Sequence, residues 1–248
     1  MSQAGSYNAE ELMAVLFSRE LHDFETGACG ALSSMPAAGM LLAEATHAPH
    51  ATVIIRGSPS HYDAYANPRD FHYQAARGNW DLFFVGGIQF DKYGNFNLHY
   101  IGDPDAPEVR MPGAMGTALL YYVAKRVILF RDVHNRRVFV EEVSFKTGAA
   151  STEEFSERRD GATKCITPMA TMNLNTKTRL LELESVHPGY TFEDVQANTG
   201  FELPHPNPVP TTAPPTQEEL HVLRTVVKQR MLETGTYPEF AKRALQPA

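Results

Sequence analysis

Two short, mainly apolar runs, the first largely β-branched and the second largely aromatic and aliphatic, constrain this chain more than anything else in it. Ala51-Thr-Val-Ile-Ile55 stops at Arg56-Gly57-Ser58-Pro59, and Leu82-Phe-Phe-Val85 stops at Gly86-Gly87. Runs of that length, almost wholly apolar and bounded by turn residues, are the pattern of strands buried on both faces in a parallel sheet. Helical periodicities lie around them. Asn8 to Leu21 opens on an N-cap residue type, carries Glu10 and Glu11 in its first turn and spaces Leu12, Val15, Leu16 and Phe17 at helical intervals. The small-residue segment Gly27 to Ser34 reads as strand or turn and then a glycine loop, leading through Pro36 into a second helix over Ala37 to Thr46. A further helix-and-strand unit runs from Thr117 through Arg126-Val-Ile-Leu-Phe130, with more strand expected over Arg137 to Val140 and at Val143, over Lys164 to Ile166 and over Leu180 to Glu184. The alternation predicts an α/β fold, an open and mostly parallel sheet flanked by helices, with antiparallel pairing left open for Phe130 to Val140.

The polar, small-residue stretch from Gly148 to Ala162 reads as a surface loop or lid. Leu203 to Pro215 is too rich in proline for a regular ladder or helix, so an extended connector is expected there, followed by a helix from Thr216 to Glu233. The expected organisation is therefore one α/β domain over residues 1–203, with residues 204–248 as a connector and C-terminal helix packing on that domain or on a partner.

A formal net charge of −7 over 248 residues argues against nucleic acid as a partner, since such proteins need Lys and Arg to displace counterions from phosphates. No uncharged apolar run approaches the roughly 20 residues of a membrane helix, and the N-terminus lacks the pattern of an export signal. Two cysteines, Cys29 and Cys165, are too few for a disulfide framework and lack zinc-site spacing, which suits a reducing, cytoplasmic setting. No ligand spacing for a catalytic metal is present. Cys29 is expected to pack between strand and helix as a buried thiol.

Ligands in α/β folds bind at the C-terminal ends of the strands. That places Arg56, Ser58, Ser60, His61 and Tyr62 together as candidates, with His61 and Tyr62 able to supply acid–base or hydrogen-bonding groups. After the second strand, Gly86, Gly87 and Gln89 are further substrate-binding candidates, followed by Asp91 and a turn in which Asn95 and Asn97 are expected to satisfy backbone groups.

Phe84-Val-Gly-Gly-Ile-Gln-Phe-Asp-Lys-Tyr-Gly-Asn-Phe-Asn97 resembles the GGAQxDxxGNxN segment of family I CoA-transferase beta subunits. His47-Ala-Pro49, Arg110-Met-Pro-Gly-Ala-Met-Gly116, the Arg137 to Val143 region and His187 to Phe201 follow the family's order, so the resemblance spans nearly the whole chain. The family includes glutaconate CoA-transferases, a steroid-ring-opening CoA-ester hydrolase and a methylglutaconyl-CoA decarboxylase. The resemblance implies a heteromer with an alpha-type subunit and coenzyme A arriving as part of an acyl-CoA substrate, with no permanently bound cofactor. It also implies that Gly113, Ala114, Met115 and Gly116 form the loop offering N–H donors to the thioester carbonyl. Transferases of the family attack the thioester with a glutamate that closes the strand after the His-Ala-Pro segment. Here Arg56 stands at that position, and a guanidinium cannot be that nucleophile. The expected chemistry is hydrolysis, C–C cleavage or decarboxylation of an acyl-CoA, with Arg56 clamping a second carboxylate. Two alternatives stand beside it: ordinary CoA transfer between dicarboxylates, and a non-catalytic structural subunit.

Overall fold

The computed structural model describes residues 6–61, 68–150 and 162–246. In chain order these comprise α1 (Ala9–Ser18), β1 (Thr26–Cys29), α2 (Ser34–Ala45), β2 (Thr52–Ile55), α3 (Pro68–Ala76), β3 (Leu82–Gly86), β4 (Gln89–Phe90), β5 (Phe96–Asn97), β6 (Tyr100–Gly102) and β7 (Pro107–Arg110). Next come α4 (Thr117–Val123), β8 (Arg126–Phe130), β9 (Ala162–Ile166), β10 (Ala170–Leu174), β11 (Leu181–Val186) and α5 (Phe192–Ala197). A last continuous helical stretch is α6 (Gln217–Val222), a π-helical turn (Leu223–Val227) and α7 (Lys228–Glu233), and α8 (Pro238–Ala244) follows it. Seven strands form one mostly parallel sheet in the order β11-β10-β9-β8-β3-β1-β2, and two short two-stranded ribbons, β4-β5 and β6-β7, stand apart from it. The chain divides into two compact units, residues 1–84 with 213–248, and residues 85–212.

In the first unit, β1 pairs in parallel with both β2 and β3, in the registers Ala28↔Ile54 and Ala28↔Phe83. The unit owes α1 to its first four residues. Asn8 Oδ1 accepts the N–H of Glu11 at 2.9 Å and the Glu11 carboxylate accepts the N–H of Asn8 at 3.1 Å, a reciprocal box that satisfies two orphan donors. Leu12, Val15, Leu16 and Phe17 are buried, with Phe17 edge-on to Phe84. α1 and α2 approach closely because Gly39 has no side chain: a Cβ there would stand 2.6 Å from the carbonyl oxygen of Ala14. Thr216 and Glu219 form a second reciprocal box at the start of α6, and Leu220, Leu223, Val227 and Met231 are buried along the continuous helix. Glu11 is 1% exposed and is held by Arg224, whose Nε and Nη2 donate to its two oxygens at 2.6 and 2.9 Å.

In the second unit, β8 runs parallel to β9, while β9, β10 and β11 follow as antiparallel neighbours. The strand expected over Arg137 to Val140 is not one. The Asn135 side chain accepts the N–H groups of Arg137 and Val138, closing a turn, and only Phe139 bridges to Phe90. The apolar spacing there reflects a turn docked on the core, with Phe139 stacked on His134 at 4.2 Å. The proline-rich segment lies along β11: the N–H of Leu183 reaches the Pro204 carbonyl, that of Val186 reaches Pro210, and that of Thr212 returns to Val186. Prolines can accept but not donate, so they cover this strand's edge without extending the ladder.

Candidate functional site

The first unit brings Arg56, Ser58 and His61 together on the loop leaving β2. The N–H of Arg56 donates to the Cys29 carbonyl at 3.2 Å, which holds the parallel ends of β1 and β2 side by side. Its guanidinium lies 5.4 Å from the centroid of the Phe71 ring on α3, an aromatic face that favours a cation. The N–H of Ser58 returns to Ile55 at 3.1 Å, and the Ser58 side chain is buried.

Ser58 Oγ is the hub of this loop. It lies 3.1 Å from His61 Nδ1 and 2.6 Å from Thr236 Oγ1, and it accepts the backbone N–H groups of Ser60 and His61. Thr236 Oγ1 is 2.8 Å from Thr234 Oγ1, which donates to the Arg230 carbonyl at 2.8 Å. Next in the chain, the Tyr237 hydroxyl donates to the Gly30 carbonyl at 3.1 Å and accepts the N–H of Ser33 at 3.3 Å. Tyr237 holds a left-handed backbone, φ 47°, a conformation costly for an aromatic residue and kept where neighbouring contacts fix it. Burial holds the His61 imidazole below its ordinary pKa; the Arg230 charge pushes the same way and Glu44 opposes it. Its surroundings therefore favour the neutral imidazole.

None of Thr234, Thr236 and Tyr237 stood out in the sequence. Polar residues at the end of a helix carry no signal that they return to a strand end 178 positions earlier. Tyr62 and residues 151–161 of the expected lid lie outside the described residues. Cys29 is fully buried on β1, and desolvation pushes its thiol well above the ordinary range. Cys165 is buried in the same way, and both are free thiols.

The second unit holds the remaining expected residues in two places. At the end of β3, a Cβ on Gly87 would stand 2.7 Å from the Phe90 ring, so only glycine fits. Gln89 is buried, its Oε1 accepting from Asn97 Nδ2 at 2.9 Å and from the N–H of Ser144 at 3.0 Å. Asp91 accepts the N–H groups of Tyr93 and Asn95, Asn95 accepts that of Ala150, and Asn97 accepts that of His99. The asparagines thus close backbone groups, as the turn chemistry predicts. Burial raises the Asp91 carboxyl above its ordinary value, against the hydrogen bonds it accepts. Separately, Gly113, Met115 and Gly116 all have positive φ, 101°, 45° and 83°, in a turn that ends as the N-cap of α4. Met115 is 66% exposed. An open groove of about 820 Å³ beside α5, lined by Arg136, Glu141, Gln196 and His205, includes none of the expected residues.

Among the described residues no group of three or more His, Cys, Asp or Glu side chains could hold a metal ion, and no helix is long and apolar enough to cross a membrane.

The family model described as Coenzyme A transferase matches residues 61–198. The chain is 29% identical over 247 residues to the B subunit of 3-oxoadipate CoA-transferase from Pseudomonas knackmussii, with 89% of this chain and 94% of that protein covered. It is 27% identical over 159 residues to the cholesterol ring-cleaving hydrolase IpdB subunit of Mycobacterium tuberculosis, with 60% of each covered. Among solved structures, glutaconate coenzyme A-transferase from Acidaminococcus fermentans superposes with a TM-score of 0.80 at 20% identity, covering 99% of this chain and 100% of that one.

Proposed function

Because the chain belongs to the coenzyme A transferase family, we propose that it is the beta-type subunit of a heteromeric enzyme that hydrolyses, cleaves or decarboxylates an acyl-CoA thioester. The observation that carries this reading is Arg56 directly after β2, on one loop with Ser58 and His61. A guanidinium there supplies no acyl-accepting carboxylate. It does supply a planar fork for a second carboxylate on the acyl chain, while His61 exchanges a proton with the substrate. Tyr62 is proposed as a further hydrogen-bonding group for the acyl chain. In the second unit, the turn Gly113–Gly116 is proposed to direct N–H groups at a carbonyl oxygen, and Gly86, Gly87 and Gln89 are proposed as further substrate-binding residues. Coenzyme A enters and leaves with the substrate, and no resident cofactor is assigned. Two buried free thiols suit a reducing cytoplasm.

A second reading, CoA transfer through a carboxylate elsewhere, is favoured by the likeness to a 3-oxoadipate CoA-transferase over 89% of the chain. The deciding experiment is co-expression with the candidate alpha-type subunit and assay of dicarboxylic and ring-bearing acyl-CoA thioesters, with and without acetate. Acetate-independent loss of the thioester or release of carbon dioxide is expected. Movement of CoA to acetate, with a borohydride- or hydroxylamine-trapped glutamyl adduct on this chain, would sink the first reading and establish the second. Under the first reading Arg56→Ala raises KM for a dicarboxylic substrate by roughly tenfold to a hundredfold, the worth of about 1.5–3 kcal/mol for a charged hydrogen-bonded pair.

A further inference from the structure

We infer that the C-terminal segment fixes His61 as the Nδ1–H tautomer through a line of hydroxyls, so that Nε2 is the atom that takes and returns protons, with Thr234 and Thr236 as positioning residues. The inference deepens the proposed function and rests on its reading of His61 as the proton-exchanging group.

The number of protons along the line fixes the tautomer. Four contacts run in series: His61 Nδ1 to Ser58 Oγ, Ser58 Oγ to Thr236 Oγ1, Thr236 Oγ1 to Thr234 Oγ1, and Thr234 Oγ1 to the Arg230 carbonyl, at 3.1, 2.6, 2.8 and 2.8 Å. Each needs one proton. Three hydroxyls supply three, and a carbonyl oxygen can only accept. The fourth must come from the imidazole. Thr234 therefore donates to Arg230, Thr236 to Thr234, Ser58 to Thr236, and His61 Nδ1–H to Ser58. The opposite tautomer leaves one of the four contacts as two facing lone pairs. The N–H groups of Ser60 and His61 bring their own protons to Ser58 Oγ, and at 3.4 and 3.3 Å they compete only weakly with His61 Nδ1–H for its two lone pairs.

Nε2 has no hydrogen-bond partner among the described residues, so its lone pair is available to a substrate proton. Protonation there gives an imidazolium that still donates through Nδ1, and the line of hydroxyls is undisturbed in both charge states. Arg230 and Glu44, the charged groups that act on the ring, bias the equilibrium in opposite directions without entering the chain of donors. Tyr237 anchors the segment to Gly30. Thr234 and Thr236 both lie outside the 61–198 span that the family model matches.

The test is the long-range 1H–15N spectrum of the 15N-labelled full chain at a pH where His61 is neutral, with its signals assigned by their loss in His61→Gln. The expected pattern is a protonated, pyrrole-like Nδ1 and a bare, pyridine-like Nε2. Thr236→Val removes the acceptor of the Ser58 proton and turns that hydroxyl toward His61, so the pattern inverts; Thr236→Ser restores it. Thr234→Val relaxes the line by the same logic and serves if Thr236→Val does not fold. A wild-type ring protonated at Nε2, or a folded Thr236→Val or Thr234→Val chain that keeps the Nδ1–H pattern, overturns the inference. In the co-expressed enzyme, Thr236→Val lowers kcat/KM by about tenfold, less than the roughly hundredfold or more expected for removing the base itself. If the spectrum behaves as expected while His61→Gln leaves turnover unchanged, the hydroxyl line stands and the functional reading of His61 is wrong.

Discussion

Lowering the pH should unfold this protein through two buried histidines of the second unit, by an amount that can be worked out. His187 is fully buried; its Nε2–H donates to the Thr167 carbonyl at 2.9 Å and its Nδ1 meets Thr212 Oγ1 at 2.8 Å. His134 sits between the hydroxyls of Thr167 and Thr199, at 2.9 and 3.0 Å. Burial holds both at about 4, and for His134 a charge on His187 adds to the depression. In the unfolded chain each returns to about 6.5. The folded pKa is the lower one, so the stability they carry is complete above pH 6.5 and falls as the pH drops toward 4, because only the unfolded chain takes up the protons. Linkage between these values gives a loss of about 2 kcal/mol per histidine between pH 7.5 and 5, about 4 kcal/mol for the pair. Urea unfolding at a series of pH values measures it, with His187→Gln as the control. Carboxylates titrate alike in both proteins and cancel in the difference. The variant is less stable at pH 7.5, and its deficit shrinks by about 2 kcal/mol at pH 5. A deficit that stays constant with pH means that His187 titrates normally in the folded protein, and the reasoning fails.

Two further outcomes concern the first unit. Arg224→Met leaves the Glu11 carboxylate buried without its partner, at a cost of about 3–5 kcal/mol, or about 6–20 °C of Tm in thermal unfolding; adding Glu11→Met recovers much of the loss. Gly39→Ala sets a methyl against the Ala14 carbonyl and the Phe17 side chain, so α1 and α2 must separate, and calorimetry should register about 1–3 kcal/mol of destabilisation from overpacking.

Where structure followed sequence closely, the determinants were local. The cap at Asn8 with Glu11, the Thr216 box and the runs of β2 and β3 each declare themselves within a few residues, and α1, the α6–α7 helix and those two strands form where the pattern puts them. Val138, Phe139, Val140 and Val143 misled because an apolar run can be buried without joining a ladder; Asn135 turns the chain before one can form. β10 escaped notice although Met172 and Ala170 are buried, since Asn173 and Thr171 dilute the apolar signal and strand pairing with β9 and β11 supplies the order. The site shows the same division. Arg56, Ser58 and His61 are neighbours in sequence and could be named together. Their supports, Thr234, Thr236 and Tyr237, reach them only through the packing of α7 and α8, and nothing in their own surroundings marks them.

The π-helical turn at Leu223–Val227 bears on how this chain can change its length. Such a turn holds one residue more than the α turn it replaces. A one-residue deletion inside it can be absorbed by reversion to α pitch, leaving α6 and α7 in their present orientations. The same deletion within Lys228–Glu233 has no slack to draw on and would swing Thr234 by about 100° around the axis, out of line with Thr236 and Ser58. Single-residue deletions in this helix therefore divide sharply by place: harmless to His61 at the π turn, and enough to release its tautomer one turn later.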